Sequence, residues 1–331
     1  MATGLYAGTG LATLYDIAQT LGQTNALLQS VVELQAQTNE IWQALPFKPC
    51  NKSTSELVQL RTALPDVAFR MINRGSKPTK SAVSQASFTT GGVEALAQID
   101  ERIMQINKGS NDFRMNENRA HQEAISQKMC KTIFYGDEKI NPASFTGLSA
   151  FYYSKANQDP VYADQIIDAG GTGDNLTSLW IVTFAPDTVY GIHPEGIPGG
   201  YKYKDNGRVP VNDEKGGKYY AYESQFNWDM GLCIRDPRYV VRLANIDITN
   251  TESTTFRNKL IEAYNQIHNV DHGRTFIMCN RKVQTYLAIM ATNAKNVDMR
   301  FDEFAGKKVT HFWTSPILMN DAILGTESQL V

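Results

Sequence analysis

The sequence predicts an α+β subunit of elongated build. Three features carry that expectation: strict two-residue alternation at 220–234, a long polar helix at about 110–134, and a charge reversal between the first and second segments of the chain. The 331 residues suffice for one large domain or two modest ones. Hydrophobic residues make up 42%, the proportion of a chain that buries a core. A formal net charge of -2 excludes a generally basic DNA coat, because neutralising phosphates needs a surplus of Lys and Arg. It leaves room for a local basic patch.

The opening MATGLYAGTGLATLYD has no basic start followed by an apolar run, so no secretory signal is expected. The apolar stretches fall far short of a membrane span. Cys50, Cys130, Cys233 and Cys279 are scattered, none with CxxC spacing, and read as reduced, mostly buried thiols.

Residues 1–47 contain no Lys or Arg and three acids, Asp16, Glu33 and Glu40. Leu27, Leu28, Val31, Val32, Leu34, Ile41 and Trp42 give a helical rhythm, read as an amphipathic arm that docks onto something else or packs on its own domain. Residues 48–90 reverse the charge: Lys48, Lys52, Arg61, Arg70, Arg74, Lys77 and Lys80 stand against Glu56 and Asp66. Leu57–Leu60 and Val67–Ile72 read as strands, 74–78 as a turn, and Ala82–Thr89 as the returning strand. The sum is an extended basic hairpin, laid across a neighbour or left as a solvated loop. Exposed strand edges of this kind are covered or charged in natural proteins.

Val93, Leu96, Ile99, Ile103 and Ile106 predict a helix over 93–107. A longer helix follows to about Phe134, with Ser110 or Asn111 as cap and Asp112 at its positive end. Its apolar positions are sparse, so it is expected to span a surface. Residues 136–210 read as loop-rich, with Leu179–Phe184 and Val189–His193 forming a β-hairpin and 196–200 a surface excursion. Tyr220, Tyr222, Phe226, Trp228, Met230, Leu232 and Ile234 alternate with polar or small residues, which makes one strand of roughly 50 Å at ~3.3 Å per residue. Tyr239–Ile248 is expected to return beside it. Helices at Ser253–His268 and Arg281–Asn293 alternate with strands at Arg274–Cys279, Lys308–Trp313 and Ile317–Met319.

Chemistry is hard to find. Gly170-Gly171-Thr172-Gly173 lacks the following Gly-Lys-Ser/Thr of a phosphate loop, and no strand–GxGxxG–helix run exists. His268 and His272 stand four apart, but 269–273 reads as a helix end and no HExxH occurs. There is no GxSxG elbow. No catalytic group, cofactor or metal site is expected.

Several segments resemble the major capsid proteins of short-tailed phages of the epsilon-fifteen kind, within the wider Hong Kong-97 capsid fold. They are Leu14-Tyr15-Asp16-Ile17-Ala18, the run 63–70 (ALPDVAFR), the run 73–81 (NRGSKPTKS), Phe134-Tyr135-Gly136, Phe145-Thr146-Gly147-Leu148, Ser178-Leu179-Trp180-Ile181-Val182, and Gly231-Leu232 through Arg242-Leu243-Ala244-Asn245-Ile246. Their order spans nearly the whole chain.

The resemblance implies an N-terminal arm at 1–46 and an extended loop at 47–92. It implies a peripheral domain with a spine helix at 93–144 and long strands at 216–249. An axial domain would take 145–215 and 250–300, leaving C-terminal strands and a tail at 301–331. It further implies hexamers and pentamers closing an icosahedral virion shell around double-stranded DNA, assembled in the host cytoplasm. The partners would be portal, scaffolding and decoration proteins, with weak contact to the DNA and none to a membrane. Expected contacts between subunits are Arg61, Arg70, Arg74, Lys77 and Lys80 on the loop, and Leu27, Val31 and Trp42 on the arm. A chain starting at Met1 sets the expectation that no leading scaffolding segment is removed; a Lys–Asn cross-link stays open. An encapsulin-type compartment, or a soluble enzyme with an unfamiliar site, remains the alternative.

Overall fold

Most of the periodic segments form the elements that their apolar spacing demands. The computed structural model describes residues 37–106, 112–156, 159–213, 216–248, 253–293, 299–304 and 307–330. The chain starts with α1 (Ile41–Ala44), β1 (Phe47–Pro49), β2 (Ser55–Ala63), β3 (Ala82–Thr89), β4 (Gly91–Asp100), α2 (Glu101–Ile106) and the long α3 (Asp112–Tyr135). Then come α4 (Leu148–Phe151), α5 (Pro160–Ala163), β5 (Ile166–Asp168), β6 (Thr177–Phe184), β7 (Val189–His193), β8 (Tyr201–Asn212) and β9 (Lys218–Ile234). The last elements are β10 (Val240–Ile246), α6 (Ser253–Gln266), β11 (Arg274–Cys279), α7 (Arg281–Asn293), β12 (Met299–Phe304), β13 (Lys307–Phe312) and β14 (Ser315–Met319). They belong to two compact units, and the chain passes from one to the other within β4, α3 and β9.

The smaller unit contains 93–128 and 201–228. There β9 has β4 on one edge and β8 on the other, in antiparallel register from Tyr201↔Trp228 to Asn212↔Lys218. Its apolar cluster is small: Ile99, Ile103, Met104 and Phe113, with Tyr222 packed against it. Polar contacts do the remaining work. The Arg114 guanidinium donates to Ser224 Oγ at 2.9 Å and pairs with the Asp205 carboxylate, which it holds below the usual carboxylate range. Glu223 accepts from Gln98 Nε2 at 2.6 Å and from Asn206 Nδ2 at 2.7 Å. The polar sequence of α3 therefore has a use, since the first part of the helix is held by hydrogen bonds as much as by burial.

The larger unit is organised on β6, whose eight residues are all buried. Both edges of β6 are taken by antiparallel strands: β10 from Val240↔Val182 to Ile246↔Thr177, and β11 from Arg274↔Phe184 to Met278↔Trp180. β14 extends the sheet parallel to β11, followed by β13 and β12. α6 and α7 lay Phe256, Leu260, Tyr264, Val283 and Leu287 onto this sheet and close the main core.

Five expectations need correction. Residues 91–100 are a strand, not the start of a helix over 93–107: Ala97 and Ile99 are buried while Leu96 is exposed, so the true period is two. Val67–Ile72 is not a strand, because pairing of β2 with β3 ends at Ala63↔Ala82 and the opposing stretch offers it no ladder. β6 and β7 are not a hairpin. They meet only at Phe184↔Val189, in parallel, because β10 and β11 already occupy the edges of β6. Residues 201–212 form β8 rather than a loop, recruited by the long free edge of β9. β10 does not return beside β9; β7 pairs there, from Val189↔Ile234 to Ile192↔Gly231. The cap residues expected at Ser110 or Asn111 lie outside the described residues.

Residues 320–330 are strapped onto this body by buried polar groups. Arg242 is 6% exposed. It donates to Glu327 Oε2 at 2.9 Å, to Ser178 Oγ at 3.0 Å and to the Tyr152 carbonyl at 2.7 Å, with its guanidinium 5.0 Å from the Trp180 ring centroid. Tyr135 and Ser178 hydroxyls also donate to Glu327. Asn245, in the left-handed region at φ 57°, clamps both backbone groups of Leu330, accepting at 2.8 Å and donating at 2.9 Å. Glu327→Ala leaves a buried guanidinium without its carboxylate, which costs about 3–5 kcal/mol. Replacing the pair together, Arg242→Met with Glu327→Leu, should cost much less. Chemical denaturation of the three chains checks this; a loss under ~1 kcal/mol for the single variant contradicts the clamp.

Candidate functional site

β2 and β3 make a two-stranded sheet of their own. Such a ribbon is marginal in water without a face to pack on. Val58 and Phe88 are buried near its root, yet every residue from Arg61 to Lys80 is exposed. The tip holds Leu64, Val67, Phe69, Met71 and Ile72 in solvent, with Phe69 wholly exposed at 107%. Among the described residues two local bonds shape it: Thr79 Oγ1 donates to the Asp66 carbonyl at 2.9 Å, and Arg74 N–H to the Met71 carbonyl at 3.2 Å. Asn73 turns the chain at φ 65°, a conformation that Asn tolerates better than most side chains. Concentrated apolar exposure of this sort marks an interaction surface.

The root is built differently. Glu56 is 8% exposed and accepts from Tyr190 OH at 3.1 Å and from Asn51 N–H at 2.7 Å. The Lys48 ammonium sits 4.6 Å from the Tyr190 ring centroid. Gly231 is required beside the root, since a Cβ there would meet the Thr89 carbonyl oxygen at 2.4 Å. Gly136 and Gly147 serve α3 in the same way: a Cβ on either would lie 2.4 Å from a backbone carbonyl, of Phe145 and Thr132 respectively.

Of the residues expected to contact neighbours, Arg61, Arg70, Arg74, Lys77 and Lys80 stand together on the exposed tip and its flanks, and none of the five forms an ion pair among the described residues. Trp42 is half-buried in α1, next to Ile41, whose N–H donates to Asn320 Oδ1 at 3.0 Å. Leu27 and Val31 lie outside the described residues. Charge counting overlooked the tip's apolar residues, although five large ones within 64–72, without a strand or helix partner, were a readable signal. It also passed over Glu56, the acid in this basic stretch that anchors the root.

His272 Nε2 lies 2.7 Å from Asp187 Oδ2, and His268 meets the Tyr239 ring edge-on at 5.9 Å. Among the described residues no cluster of three or more His, Cys, Asp or Glu side chains is placed to hold a metal, and no helix is long and apolar enough to cross a membrane. All four cysteines are free and buried.

A family model described as major capsid protein GP7 matches residues 23–331. Among solved structures, the chain is similar to the near-atomic structure of bacteriophage epsilon15, with a TM-score of 0.76, 27% identity and 98% of each chain covered. It is also similar to the bacteriophage JBD30 capsid, with a TM-score of 0.51, 10% identity, and 95% of this chain and 99% of that chain covered; this likeness bears on the fold alone. Among curated proteins none matches.

Burial pushes the Cys50 thiol up to about 11, helped by the Glu56 charge, and the Cys233 thiol up to about 12. In the unfolded chain a thiol ionises near ~8.5. The stability held by these neutral thiols is therefore full below that pH and is lost as pH rises toward their folded values. Denaturation midpoints should fall between about pH 9 and pH 11. At pH 8 a thiol reagent should label the four cysteines only as fast as the chain unfolds; rapid labelling of the folded chain would contradict their burial.

Proposed function

The chain belongs to the family of major capsid protein GP7 and builds the head shell of a phage; from that premise we propose that its basic loop, 47–92, grips a neighbouring copy and closes hexamers and pentamers into an icosahedral shell around double-stranded DNA. One observation carries this reading: the tip from Arg61 to Lys80 is wholly exposed, cationic and apolar together. Water is a poor final environment for such a surface, and a second subunit is the partner that shell building supplies in quantity. A stretch extended from Ser55 to Asn73 reaches up to roughly 60 Å at ~3.3 Å per residue, far enough to cross onto a neighbour.

The remaining parts follow the layout the resemblance implies. The arm 1–46 adds contacts through Leu27, Val31 and Trp42. Segments 93–144 and 216–249 act as a peripheral domain with its spine helix, 145–215 and 250–300 as an axial domain, and 301–331 as the closing strands and tail. Exposed ion pairs are each worth only ~0–1 kcal/mol, so Arg61, Arg70, Arg74, Lys77 and Lys80 set register and orientation through repetition. The near-neutral net charge, -2, suits a wall that holds DNA without gripping it. Portal, scaffolding and decoration proteins are its partners during assembly in the host cytoplasm, and it performs no catalytic step.

Arg70→Glu, Arg74→Glu and Lys77→Glu combined should abolish shells in electron micrographs of the purified protein and leave the thermal unfolding of the single subunit unchanged. Shells of normal yield from this variant would remove the loop from the account.

A further inference from the structure

Beside the root of the loop lies a cavity of about 220 Å³. Phe88, Phe151 and Leu232 give it an apolar side, Ser87, Thr89 and Thr146 add hydroxyls, and Asp137 and Glu138 stand at its rim. Phe88 and Phe151 are tilted at 51° with centroids 5.8 Å apart, and Tyr162 stacks on Phe151 at 5.8 Å. A cavity on the order of 150 Å³ is enough for a benzene ring. The rim is acidic on balance, two carboxylates against Lys139. Each carboxylate spends one oxygen locally: Asp137 Oδ1 accepts from Lys139 N–H at 2.8 Å and Glu138 Oε2 from Thr89 Oγ1 at 2.6 Å. The second oxygens are available to a cation.

We propose that this cavity is the socket for Phe69 of a second copy of the chain, with Arg70 of that copy against the Asp137 and Glu138 carboxylates. The idea rests on the loop reading above and names the partner surface for the tip. Ring and guanidinium are neighbours in the guest, as apolar wall and carboxylate rim are neighbours in the host. In its own subunit Phe69 is wholly exposed beyond the far end of the ribbon, whose near end is the socket wall, so a second copy is the guest proposed.

Ser87 lines the socket and is exposed, so Ser87→Cys with Phe69→Cys places a reactive thiol at each side of the contact. The four native cysteines are buried and stay out of the reaction. Assembled full-length shells treated with a short bis-maleimide should give a ladder of linked chains on a denaturing gel. The same treatment of Phe69→Cys with Glu262→Cys, which borders a separate cleft of about 340 Å³ beside α6, should leave the chains unlinked. Linking through Glu262 and not Ser87 overturns the socket and leaves the loop reading intact. No linking through either pair, together with normal shells from the charge-reversed loop, overturns both. As a control on folding, Phe69→Ser changes a side chain that touches nothing in its own subunit. It should leave subunit unfolding unchanged and lower the shell melting temperature; shells as stable as the parent's overturn the socket.

Discussion

An apolar tip on a two-stranded ribbon has nowhere to go within its own chain, and that constraint organises the rest of the molecule. Phe69, Val67 and Ile72 are exposed at 107%, 92% and 90%. Burying a large apolar side chain is worth about 1.5–3 kcal/mol, so the five at the tip are a reservoir of association energy that a single subunit leaves unused. On the proposed reading, the cations beside them supply direction rather than affinity. A surface with these properties would drive indiscriminate aggregation if it were broad and flat. Here it is narrow, carried at the end of a ribbon, and studded with like charges that repel a second tip.

A loop proposed to grip a neighbour needs a firm mount. Glu56, Tyr190 and Asn51 tie its root with two hydrogen bonds to a buried carboxylate, and Gly231 lets the strand after the root approach closely. Behind them lies a sheet whose central strand, β6, is buried at every position and hydrogen-bonded along both edges. The Arg242–Glu327 pair then pins the C-terminal tail across β10 and β6. A buried ion pair adds little net stability over an apolar one; what it adds is one permitted position for the tail. Adjacent subunits in a shell must present identical surfaces, and a tail with one position serves that need.

The sequence was most readable where one period dominated. Residues 220–234 alternate so cleanly that β9 was plain, and α6, β11 and α7 followed from their apolar spacing. It was least readable where two periods agreed with the same letters. Val93, Leu96, Ile99 and Ile103 suit a helix, but Ala97 is buried and Leu96 exposed, and only the presence of β9 as a partner decides for a strand. Pairing partners were equally hidden: β8 and the parallel β6–β7 contact depend on which edges are already taken, which is a property of the whole sheet. Three of the family segments, at 134–136, 178–182 and 231–246, converge in the fold, with Tyr135, Ser178, Trp180, Arg242 and Asn245 all at the tail clamp, although their spacing along the chain gives no hint of it. The charge of the loop was legible from composition. Its apolar half was hidden by habit, since exposed hydrophobics are normally counted as core.

The central claim is that the tip is ordered by a neighbour and not by its own chain. Amide hydrogen exchange of residues 64–81, followed in unassembled subunits and in closed shells, tests it directly. The account predicts exchange at nearly the free-peptide rate in the subunit, and strong protection of the same amides in the shell with β6 equally protected in both. Protection of 64–81 in the lone subunit, or fast exchange that persists in the shell, would contradict it.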